Sequence, residues 1–93
     1  MTNVIYQVVK EFKTSVDGLD FEIKGRILKR VSGDNGLIVD YKWEISHYYK
    51  PLDGATVYHP SQDHAETAER AEQLLLHYMT PFTNLDIEVN PNY

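Results

Sequence analysis

The sequence predicts a two-layer α+β domain: an antiparallel meander of three long strands, one helix on its apolar face and a short closing strand, in the order β-β-β-α-β. Three observations carry this. Residues 36–51, GLIVDYKWEISHYYKP, alternate throughout, with Leu37, Val39, Tyr41, Trp43, Ile45, His47 and Tyr49 on one parity and mostly polar residues on the other, the period of a strand with one wet face. Two earlier stretches alternate in the same way, separated by Asp-Gly and Asp-Asn-Gly turn signals. Ala65, Ala68, Ala71, Leu75, Tyr78 and Met79 then form one apolar stripe at helical spacing.

The first strand is predicted over residues 3–14, where Val4, Tyr6, Val8 and Phe12 share a face and only Lys10 interrupts them. Asp17-Gly18 supplies a hairpin turn, and the second strand covers 19–31. Pairing across that turn with residue numbers summing to 35 sets Phe12 against Ile23 and Val8 against Ile27. On the wet face the same register sets Lys13 against Glu22 and Glu11 against Lys24. Apolar meets apolar and opposite charges meet.

The third strand is predicted over 37–50. A three-residue Asp34-Asn35-Gly36 loop gives pairs summing to 70: Arg30 with Asp40, Arg26 with Glu44, Asp20 with Lys50, Ile27 with Trp43 and Ile23 with His47. A five-residue loop would oppose Arg26 and Lys42, so the shorter one is preferred. Gly25 falls diagonally from Trp43, where an indole could lie over bare backbone.

Residues 51–62, with two prolines and a glycine, read as a loop in which Thr56–Tyr58 could be a short extended piece. The helix is predicted over 64–79, with Asp63 as N-cap, Glu66 completing a capping box and pairing with Arg70, and Pro81 ending it. Leu85, Ile87 and Val89 alternate in a closing strand over 84–89. Residues 1–93 thus read as a single domain. Strands of about 13 residues span roughly 43 Å and a helix of about 17 residues covers ~25 Å, so one helix cannot shield the whole apolar face. A homodimer is the expected remedy.

Composition excludes several function classes. The absence of cysteine removes disulfide scaffolds, thiolate metal sites and cysteine nucleophiles. No basic region followed by an apolar one opens the chain, and no apolar run approaches the ~20 residues of a membrane span. A cytosolic location is expected, with no membrane partner. The net charge of −5 argues against a general binder of nucleic-acid backbones, although such a chain can present acid to a basic partner.

Candidate site residues follow from side-chain chemistry. His59 and His64 flank Asp63 in YHPSQDH, yet Asp63 is accounted for as a helix cap and the spacing matches no ligand pattern, so no metal is expected. His47 has core parity, and His77 falls on the wet side of the helix. No carboxylate pair stands isolated in an apolar setting, no serine has a nucleophile-elbow context, and no glycine-rich phosphate loop exists. Tyr41, Trp43 and Tyr49 lie on the face the helix covers, leaving Tyr48 alone among charges, which disfavours a base-stacking sheet. The expected function is that of a small non-catalytic interaction module, without cofactor, whose partner is a protein or a second copy. Its expected binding residues are His47, Tyr49, Tyr58, His59, Asp63 and His64. A small-ligand or metal site between loop and sheet near residues 47–64 is the alternative, and an uncharacterised small enzyme the third reading. The His47–Lys50 end of the third strand is expected to run beyond the helix's reach.

Overall fold

The computed structural model describes residues 4–32 and 41–93. The elements are β1 (Ile5–Ser15), β2 (Glu22–Ser32), β3 (Tyr41–Ile45), β4 (His47–Tyr48), β5 (His64–Ala65), α1 (Ala68–Met79) and β6 (Glu88–Val89). One sheet has the order β1-β2-β3-β5, and β4 pairs with β6 apart from it. The α+β class, the antiparallel meander and the single helix packed on it are as predicted.

The β2–β3 register is the expected one. Arg26 opposes Glu44, Ile27 opposes Trp43, and the series runs from Gly25–Ile45 to Lys29–Tyr41. Arg26 meets Glu44 at 2.7 Å. The Asp34-Asn35-Gly36 turn and the Arg30–Asp40 pair lie outside the described residues.

The β1–β2 register differs by two. Phe12 opposes Gly25, Thr14 opposes Ile23, and Lys13 opposes Lys24 rather than Glu22. Asp17-Gly18 does turn the chain, with Leu19 N–H donating to Val16 O at 3.0 Å and Gly18 at φ 92°. Leu19 and Val16, however, leave the ladder to pack against the core. A slip of two preserves the faces and sets Phe12 beside Gly25, over which Leu75 and Met79 close. Burying such side chains contributes about 1.5–3 kcal/mol each, whereas an exposed like-charge pair costs a few tenths. Packing outweighs the lost charge match. The expected cover for Gly25, Trp43, faces Tyr78 instead, with ring centroids 5.8 Å apart.

A second departure is a bulge. The ladder passes from Val8–Leu28 to Lys10–Ile27, leaving Val9 unpaired. The strand therefore changes face at Val9. Phe12 and Lys10 lie on the helix side, where Lys10 reaches Glu72 at 2.7 Å. Val8 and Tyr6 oppose Leu28 and Arg30 on the open side. The four apolar residues predicted to share a face are divided between two.

The helix begins at Ala68, later than predicted. Thr67 is its N-cap, its hydroxyl accepting the Arg70 N–H at 3.1 Å. Asp63 does not cap, because its segment is recruited to the edge of β3: Trp43 N–H donates to Asp63 O at 2.9 Å, and His64 and Ala65 pair with Lys42 and Tyr41. Ala71, Leu75, Tyr78 and Met79 are the buried helical residues. They close on Ile23, Ile27, Trp43, Ile45 and Tyr49 to make the core. The helix stops before Pro81, as expected.

The long third strand breaks at Ser46. Its N–H donates to Lys24 O and its hydroxyl accepts the Lys24 N–H, both at 2.8 Å, so the side chain completes the last rung as the strands part. Asn90 then takes over, its side-chain amide donating to Ile45 O at 2.8 Å and its backbone N–H to Ser46 O at 2.9 Å. Ile23–His47 and Asp20–Lys50 consequently do not pair, and Lys50 binds Asp86. The closing strand reduces to Glu88–Val89, and Tyr58 makes a single bridge to Tyr49.

The length mismatch persists but at the other end. The 12 residues of α1 cover about 18 Å, against roughly 36 Å for each 11-residue strand of the β1–β2 hairpin. The C-terminal tail shelters residues 47–50 through β6 and a bond from Lys50 N–H to Leu85 O. The uncovered end carries Val4, Ile5, Val8, Val9 and Val31, each between 43% and 53% exposed. Among the described residues no helix is long and apolar enough to cross a membrane.

Candidate binding cleft beside the third strand

The six expected binding residues do not share one site. Tyr49 belongs to the core: it is 1% exposed, its hydroxyl donates to Tyr78 O at 3.0 Å, and its ring packs on Tyr78 and Phe82. Tyr58 is fixed by its backbone, donating to Tyr49 O at 2.7 Å and accepting from the Tyr78 hydroxyl, while its ring remains partly exposed. Tyr78, wedged among these rings, has its phenol pushed far above its ordinary value, chiefly by burial.

His47 lies apart from the 58–64 loop. The break at Ser46 turns it beside Phe21, ring centroids 4.8 Å apart, with Nδ1 2.7 Å from Ser46 Oγ. Burial lowers its pKa. It helps line an open slot of about 520 Å³ together with Lys24, Asn90 and Tyr93. Ser46 is itself buried and committed to Lys24 and His47. It ends a strand rather than forming an exposed nucleophile.

His59 and Asp63 do come together. They line a cleft of about 200 Å³ with Trp43, Glu44, Tyr48 and Asn92. The strand builds its outer wall by holding the loop: Trp43 donates from its backbone to Asp63 O and from its indole to Gln62 O at 3.0 Å. On the other side, Tyr48 and His59 meet edge to face at 4.5 Å, and His59 Nε2 lies 2.8 Å from a Glu88 carboxylate oxygen. The tail is latched by Asn90, whose side-chain oxygen accepts the Asn92 N–H at 3.0 Å. His64 turns outward onto Asp63, Nδ1 to Oδ1 2.6 Å.

The electrostatics are acidic with local compensation. Glu44 is held by Arg26 at 2.7 Å and by Lys42 at 3.4 Å. Asp63 and Glu88 have no cationic side chain of lysine or arginine against them among the described residues. Burial, then the charges of Glu88 and Asp63, raises the Tyr48 phenol. The cleft can therefore hold a group by charge, hydrogen bonding and ring contact. Among the described residues no three histidine, aspartate or glutamate side chains come together as a metal-ligand set.

Tyr48, Trp43, Glu88 and Asn92 were not legible as site residues. Uninterrupted alternation assigns Tyr48 to a solvated face and Trp43 to the core. Only the break at Ser46, made with Asn90 far along the chain, swings Tyr48 toward the loop. No protein-family model matches this chain, and no curated protein or solved structure matches it either.

Proposed function

We propose that the protein is a small, non-catalytic, cytosolic interaction module that acts as a homodimer joined through the uncovered arm of the β1–β2 hairpin. One observation carries the reading: five aliphatic side chains, on the two faces of the hairpin, are each about half exposed where it outruns its helix. Together they offer on the order of 400 Å² of apolar surface, comparable to the largest patch of an ordinary monomer and about half of one partner's share in a standard interface. The arm is also self-complementary. Gln7 is the one polar residue between Val4 and Val9 other than Tyr6, so a two-fold axis along β1 would set valine against valine, with Lys29 and Arg30 of β2 alongside. The cysteine-free composition suits a reducing compartment.

Sedimentation tests this. The chain is expected at twice its 10.8 kDa mass in the micromolar range. A variant with Ile5→Glu and Val8→Glu should sediment as a monomer with unchanged helical circular dichroism. A 10.8 kDa species persisting at several hundred micromolar would overturn the dimer.

A further inference from the structure

We propose that the cleft between β3 and the 59–63 loop receives a basic side chain of a protein partner, the ammonium or guanidinium head of a lysine or arginine. The proposal rests on the interaction-module reading but not on the dimer, since β2 lies between β1 and the strand, β3, that lines the cleft. Size is the first argument. A volume of about 200 Å³ suits the head and last methylenes of one long side chain and is too small for a nucleotide or a helix.

Chemistry is the second argument. Asp63 Oδ1 is taken by His64, and Glu88 Oε1 by His59. The second oxygen of each carboxylate, and the Tyr48 hydroxyl, have no hydrogen-bond partner among the described residues. A cation entering here finds the carboxylate of Asp63 beside the ring of Tyr48, with Glu88 held next to the cleft by His59, the combination that recognises alkylammonium and guanidinium groups. Glu44 does not add to this, because Arg26 and Lys42 already offset it.

Preorganisation is the third. Trp43 fixes the loop through Gln62 O and Asp63 O, and Asn90 fixes the tail through Ile45 O, Ser46 O and Asn92 N–H. Little ordering is left for the guest to impose. At longer range, the chain's net charge of −5 favours encounter with a basic partner.

The experiment is a ¹⁵N–¹H correlation titration of the whole chain with N-acetyl-lysine methylamide and N-acetyl-arginine methylamide, with N-acetyl-norleucine methylamide as the uncharged control. Saturable shifts are expected at Tyr48, His59, Asn92 and the Trp43 indole N–H, with a Kd on the order of 1–10 mM for one isolated side chain. The norleucine compound should move none of them over the same range. Asp63→Asn should weaken binding about five-fold, and Glu88→Gln serves the same purpose should the first variant disturb the fold. Equal shifts from the norleucine compound, shifts that survive both variants, or no saturation by about 50 mM would each overturn the proposal. The hairpin dimer, read by sedimentation, would be untouched by any of these outcomes.

Discussion

Gly25→Ala tests how the helix is seated. A methyl group at this position would stand 2.7 Å from Leu75 Cδ1, 2.9 Å from Met79 Sδ and 3.1 Å from Leu75 Cδ2. These are ends of flexible side chains, but Leu75 is fully buried and Met79 nearly so, among Ile23, Ile27 and Tyr78. Relief has to come from the helix lifting or from strained rotamers, at about 1–3 kcal/mol. Replacing glycine recovers about 0.4–1 kcal/mol by restricting the unfolded chain. The expected balance is a loss of about 0.5–2 kcal/mol, which for a domain of this size lowers Tm by roughly 3–15 °C. Thermal and urea unfolding followed by circular dichroism measures it. A double-mutant cycle supplies the mechanism. Leu75→Ala costs about 2–5 kcal/mol alone, and it should cost less by about 0.5–2 kcal/mol when the methyl added by Gly25→Ala fills part of the vacated space. A Gly25→Ala protein as stable as the parent, or additive effects in the cycle, would refute close helix–sheet contact at this residue.

Three further outcomes follow from individual side chains. Burial holds the His47 pKa below 6.5, so between its folded value and 6.5 the unfolded chain binds more protons; its contribution is full above 6.5 and lost as pH falls through the folded pKa, and His47→Gln should flatten the stability–pH curve there relative to the parent. The Tyr78 phenol is raised above 10, so its contribution is intact below pH 10 and lost as the unfolded chain ionises above it; Tyr78→Phe should remove that alkaline loss while costing about 1 kcal/mol at about pH 7 for the bond to Tyr58 O. Trp43→Phe deletes the indole bond to Gln62 O and should cost about 1–3 kcal/mol, with hydrogen exchange accelerating at His64 and Ala65 more than in the β1–β2 ladder.

Much of the architecture was legible in local side-chain chemistry. The β2–β3 register could be read because Arg26 with Glu44 and Ile27 with Trp43 are joined by one turn, and a wrong loop length would have opposed Arg26 and Lys42. The same reasoning across Asp17-Gly18 missed by two residues. There the strand-to-strand charge match gave way to packing against the core by Phe12, Val16 and Leu19, beside Gly25 and the helical residues Leu75 and Met79 far along the chain. The site was less legible still. Of the six residues proposed, His59 and Asp63 share the cleft, Tyr49 is core, and His47 faces another slot.

By itself, then, the sequence determined the α+β class, a three-stranded meander followed by one helix and the faces of β2 and β3, because alternation and helical spacing are properties of neighbouring residues. Tertiary structure decided where those patterns stop. The first hairpin took a register that sets Phe12 beside Gly25, under Leu75 and Met79, and the Val9 bulge turned Tyr6 and Val8 away from the helix side that Lys10 and Phe12 share. The edge of β3 took Asp63 from its expected role as a cap. Asn90 and Ser46 together broke the third strand, which moved the exposed apolar end from Tyr49 to the Val4–Val9 arm and opened the cleft at Tyr48. Each of these outcomes is a competition between a local preference worth tenths of a kcal/mol to about one and burial worth more. The winner is chosen by residues that come together only in the fold.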